Sequence, residues 1–91
     1  MPPERENFDT QLEAIFEAAT DLKLSYIGVN SGQLHRLVGG YPDRNHRMPV
    51  CCASMRDKID SHVGDRIIST PPQGDGASLL IHYVYVIPRR D

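Results

Sequence analysis

Pro71-Pro72-Gln73-Gly74-Asp75-Gly76 is the stretch that most limits what this chain can fold into. Prolines lack the amide that a helix interior or a central strand needs, and glycines favour turns. The residues on either side read as strands. Asp65-Arg66-Ile67-Ile68-Ser69-Thr70 precedes the stretch, and the long apolar run from Ala77 to Ile87 follows it. Two such runs around a Pro/Gly segment predict an antiparallel hairpin. The connection is longer than a tight two-residue turn, so it should project.

Upstream the pattern is mostly helical. Thr10 and Glu13 fit a capping box, and Leu12, Ile15, Phe16, Ala19 and Leu22 then mark one helical face, with Glu13 and Glu17 opposite. Leu24 to Val29 alternates and is β-rich, which predicts a short strand over Tyr26 to Val29. It feeds a helix over Ser31 to Val38, capped by Ser31, apolar at Leu34, Leu37 and Val38, and stopped by Gly39-Gly40. Tyr41-Pro42-Asp43-Arg44-Asn45 is turn chemistry. Pro49 suits the first position of another helix, along which Val50, Cys51, Met55 and Ile59 recur on one side. Ser61 to Gly64 is a connector. The expected core is Leu12, Ile15, Phe16, Leu34, Leu37, Met55, Ile59, Ile67, Leu79 and Ile81.

At 91 residues the chain fits one small domain. No apolar run is long enough for a bilayer, and the charged, proline-bearing start does not read as a signal peptide, so a cytoplasmic protein is expected. The net charge of −2 is unevenly spread. Before Leu22, Glu4, Glu6, Asp9, Glu13, Glu17 and Asp21 face Arg5 alone. From His35 to Lys58 the sign reverses, with Arg36, Arg44, Arg47, Arg56 and Lys58 against Asp43 and Asp57. Such a molecule is expected to offer a basic face to phosphate while its acidic face looks away.

The two cysteines, Cys51 and Cys52, are adjacent. Neighbours on a helix diverge by about 100° and are poorly placed to bridge, so reduced thiols are expected, at least one in the core. His35, His46, Cys51 and Cys52 lack zinc-ligand spacing. No phosphate-loop pattern, nucleophile constellation or cofactor motif is present. The expectation is a protein without metal, cofactor or enzymatic activity.

The order helix, strand, helix, turn, helix, strand, projecting loop, strand resembles that of winged helix-turn-helix DNA-binding domains of the bacterial type, over Thr10 to Ile87. The resemblance implies an α+β fold with a three-helix bundle, a small antiparallel sheet and a C-terminal β-hairpin wing. The domain would occupy 8–88, between a disordered 1–7 and a tail at 89–91. It implies that the helix from Pro49 to Ile59 enters the major groove of double-stranded DNA, with the wing tip on backbone or minor groove. Arg47, Arg56 and Lys58 are the main expected contacts. Arg44, His46, Arg36 and an exposed Ser54 come second, and Gln73 comes from the wing. The role would be a transcriptional regulator or the targeting module of a DNA-processing or restriction-type system. Two departures stand out: the turn from Gly39 to Met48 is long, and the wing tip carries Asp75 but no lysine or arginine. The acidic first helix and neutral wing favour the alternative, a winged-helix protein-interaction module with no DNA affinity.

Overall fold

Helix α1 spans Arg5–Asp21 and starts a full turn earlier than the sequence pattern implies. The computed structural model describes residues 3–39, 47–72 and 74–84. Capping falls to Glu4 and Asn7, the Glu4 amide donating to Asn7 Oδ1 at 2.8 Å. Thr10 and Glu13, expected to cap, lie inside the helix, and so do Arg5, Glu6 and Asn7, expected to be loose. The cause is Phe8. It is fully buried, with its ring edge-on to His35 at 4.9 Å, and it draws the preceding turn into the fold.

Strand β1 spans Tyr26–Asn30 and α2 spans Ser31–Val38. Asn30, rather than Ser31, caps α2, its Oδ1 accepting the Gln33 amide at 3.0 Å. The buried side of α2 is Ser31, Gly32, Leu34 and His35. The stripe is therefore rotated from the expected one, and Leu37, read as core, is 63% exposed. Helix α3 spans Met48–Asp57, with Pro49 in its first turn. A short 3-10 turn at Ser61–Val63 leads to β2, Arg66–Ser69, and β3 spans Leu80–Val84.

Among the described residues the chain is thus a small α+β domain of three α-helices and one antiparallel sheet, ordered β1-β3-β2. The core lies between the sheet and the helices. Leu12 and Phe16 from α1, Leu34 from α2 and Cys51, Cys52 and Met55 from α3 meet Val29, Leu79, Ile81 and Tyr83. Tyr83 satisfies its polar end as a buried tyrosine must. Its hydroxyl donates to the Met55 carbonyl at 2.7 Å, while Phe16 stands edge-on to its ring at 5.0 Å. Of the expected core, Ile15 and Ile59 are partly buried against it. Ile67 is a correction: it pairs with Ile81 yet is 43% exposed, because every residue of β2, at the sheet margin, is exposed.

Two long-range ties hold the sheet in place. The segment ahead of β3 is fastened to the start of α2: the Ser31 amide donates to Leu79 O at 2.9 Å, the Gly32 amide to Ala77 O at 3.2 Å, and the Ser31 hydroxyl to Gly76 O. Gly32 suits the close approach there, since a Cβ would sit 3.0 Å from Ala77 O and 3.1 Å from Ala77 Cβ and would press that segment back. Asp65, almost fully buried, accepts the Val84 amide at 2.7 Å and the Asp60 amide at 2.9 Å.

Candidate functional site

Among the described residues, Arg36, Arg47, Ser54, Arg56 and Lys58 do not assemble into one basic face. Arg36 and Arg47 are exposed at the end of α2 and the start of α3. Arg44, His46 and Gln73 lie outside the described residues. Ser54, expected to be exposed, is completely buried. It sits on the side of α3 that meets α1 and donates its hydroxyl to Asp9. Arg56 reaches away from the helix to Asp75 and to the Gly74 carbonyl, and Lys58 reaches Glu13 at 3.4 Å. The exposed line along α3 is Pro49, Ala53 and Asp57, and Asp57 binds Arg5 at 2.5 Å. Pro49 and Ala53 have no hydrogen-bonding side chain, and the Asp57 carboxylate, which could accept from a cytosine amino group, is engaged by Arg5.

Part of the charge asymmetry of the sequence is therefore spent on internal pairing. Acidic α1 and α3 are neighbours, joined by Ser54–Asp9 and by the bond from Lys58, just past α3, to Glu13, with Arg5 bridging Asp9 and Asp57. The acidic face does not look away from the basic one as expected; the Glu13 and Asp9 positions meet it. Glu6, Glu17 and Asp21 remain exposed. Burial alone would push the Asp9 carboxyl up, but the hydrogen bonds from Ser54 and Arg5 outweigh it and hold the group below the usual aspartate range. Asp9 thus binds its proton less well folded than unfolded. Its contribution to stability is complete above the unfolded value of about 3.9 and is lost as pH falls through the lower folded value. Asp9→Asn should remove that share of the acid sensitivity, read from unfolding at pH 2 to 5 as an order-of-magnitude window.

Ser54→Ala is expected to destabilise the protein by about 2 kcal/mol, typical for a hydrogen bond to a charged group. Chemical denaturation would measure it. Unchanged stability would mean that the Ser54–Asp9 bond contributes nothing.

The cysteines are both free, both fully buried and both part of the core. Burial, with the neighbouring Cys52, pushes the Cys51 thiol up to about 12, and burial raises Cys52 as well. A thiol shifted in that direction is a poor nucleophile. His35, which with His46 and the cysteines lacks zinc-ligand spacing, is fully buried. Its Nε2 accepts the Arg47 amide at 2.9 Å. Among the described residues no three His, Cys, Asp or Glu side chains come together as a metal-ligand group.

The surface that sequence reasoning missed lies at β1. Its constant register with β3 continues to Ser31 opposite Leu79, a bonded pair. By the alternation of antiparallel ladders, Val29 and Ile27 bond to β3, while Tyr26 and Gly28 turn their amides and carbonyls outward. No described residue bonds those outward groups. Beside this edge a groove of about 100 Å³ runs between Ile15, Val29, Leu34 and Leu37, with Gln33 at its rim. Tyr26 is 59% exposed and stacks on His82, ring centroids 4.7 Å apart. The signal was available: from Leu24 to Leu34 the sequence holds no charged residue. A larger hollow of about 470 Å³ at the end of α3 is lined by Phe16, Lys58, Ile59, Asp60 and His62, a mixture of signs that selects no one ligand.

No family model, curated protein or solved structure matches this chain. No helix among the described residues is long and apolar enough to cross a membrane.

Proposed function

We propose that the chain is a winged-helix-like domain whose work is to bind protein. The layout of three helices with a three-stranded antiparallel sheet supports the winged-helix comparison. One observation carries the protein-binding reading. The polar side chains of α3 that a DNA reader would present are engaged inside the molecule: Arg56 by Asp75 and Gly74, Lys58 by Glu13, Ser54 by Asp9. Beside them the domain exposes an uncharged strand edge and an apolar groove, features that accept polypeptide.

Titration with a random-sequence duplex at rising salt tests the reading. Neutralising several phosphates makes affinity fall steeply with salt, with a slope of roughly −0.9 per phosphate contacted. The expected result is no such binding. Duplex affinity with a slope of about −5 or steeper would overturn the protein-binding reading.

That outcome would support the second reading, binding of double-stranded DNA as a regulator or targeting module. Its support is the exposure of Arg36 and Arg47, which flank the segment carrying Arg44 and His46. On that reading, Arg36→Ala with Arg47→Ala should flatten the salt slope by about two units, one per lost phosphate contact.

A further inference from the structure

The two edges of the sheet are built differently. β2 has the protections typical of a solvent-exposed edge: a charged residue, Arg66, and a break in register between Ile67 and Ser69. β1 has neither. Its register is regular over all five residues, and no charge or proline lies between Leu24 and Leu34. An exposed, regular and uncharged edge is one that pairs.

We propose that the occupant of this edge is a second copy of the chain, its β1 antiparallel to the first about a twofold axis through Gly28. This deepens the protein-binding reading and rests on it. Backbone geometry permits the arrangement, because Gly28 turns its amide and carbonyl outward and can exchange both bonds with its own counterpart. The pairing is self-complementary side by side. Gly28 meets Gly28, Tyr26 meets Asn30, and Ile27 meets Val29, so apolar residues oppose apolar ones on the helix side of the sheet. No like charges are opposed, because the whole run from Leu24 to Leu34 is uncharged. On the open face the Tyr26 ring lies diagonal to the partner's glycine, covering a position that has no side chain of its own. The result is a continuous six-stranded sheet with the helices of both copies on one side. Leu37, out of place in the monomer at 63% exposure, then lies beside the groove at the junction. An isologous twofold contact of this kind closes on itself and does not propagate into fibres.

Gly28→Lys separates the dimer from the fold. In the monomer a Cβ at Gly28 would meet only Leu80 Cδ1, at an ordinary 3.7 Å. In the dimer two lysines would face each other across the axis. Sedimentation equilibrium of the full chain should show a dimer that dissociates on dilution. Gly28→Lys should weaken it at least tenfold, with the circular dichroism spectrum unchanged. Mixing Gly28→Lys with Gly28→Glu should restore dimers of mixed composition. Leu37→Lys, on the helix side and away from the sheet hydrogen bonds, should also weaken the dimer and decides the matter if the Gly28 variants fold poorly. A wild-type chain that stays monomeric at about 1 mM, the weak end of specific affinities, overturns the proposal. So does a dimer indifferent to both substitutions. Steep salt-dependent duplex binding would instead overturn the protein-binding reading itself, whatever the state of association.

Discussion

Phe8→Ala should cost about 3–5 kcal/mol, the usual penalty for deleting a buried aromatic ring. The total stability of a domain this size is of order 5–15 kcal/mol, so the change removes a large part of it. Phe8 is fully buried and packs against His35, which is itself buried and holds the Arg47 amide. The substitution therefore loosens three separate pieces of chain: the start of α1, the middle of α2 and the entry to α3. Urea unfolding followed by circular dichroism measures it. A cost under about 1 kcal/mol would mean that the first turns of α1 lie outside the cooperative unit.

Asp65→Ala is expected to cost about 3 kcal/mol, because it removes two hydrogen bonds from backbone amides to one carboxylate. The Val84 amide on β3 and the Asp60 amide, just ahead of the 3-10 turn, both depend on it. Asp65→Asn should fall between wild type and alanine. An amide side chain keeps one accepting oxygen and turns its other end, a donor, toward a second donor. Equal stability of all three proteins would show that solvent replaces both bonds without penalty.

What could be read from the sequence was whatever local spacing controls. The start and end of α2, the position of β1 and the strand before Pro71 follow from glycine, proline and alternation, and the structure has them within a residue. The strand after Gly76, expected from Ala77, begins only at Leu80, and its expected end at Ile87 lies outside the described residues. The apolar faces of α1 and α3 were also visible in Leu12, Phe16 and Met55. The failures share one cause: partners brought together from far along the chain. Ser54 is small and polar, and nothing near it in sequence says that Asp9 will cross over it. Phe8 was hidden by a charged, proline-bearing start. His35 gives no local sign of burial, and only the fold sets the Arg47 amide against its ring. Arg56 and Lys58 were rightly placed off the apolar stripe of α3, but off the stripe meant next to Asp75 and Glu13. Periodicity locates a side chain on its own helix and is silent about what stands opposite.

The fastening of α2 to the segment ahead of β3 sets how the protein breathes. First-turn amides of a helix have no acceptor within the helix and are ordinarily among the earliest to exchange with solvent deuterium. In α2 the amides of Ser31 and Gly32 are held by the carbonyls of Leu79 and Ala77. They can exchange only when a stretch some 45 residues downstream lets go. The stretch between β2 and β3 behaves as a latch and not as a free paddle. Early and late parts of the sequence therefore open in one cooperative step, and deuterium uptake at residues 31 and 32 should rise and fall with that at 76–79 as temperature or denaturant is varied.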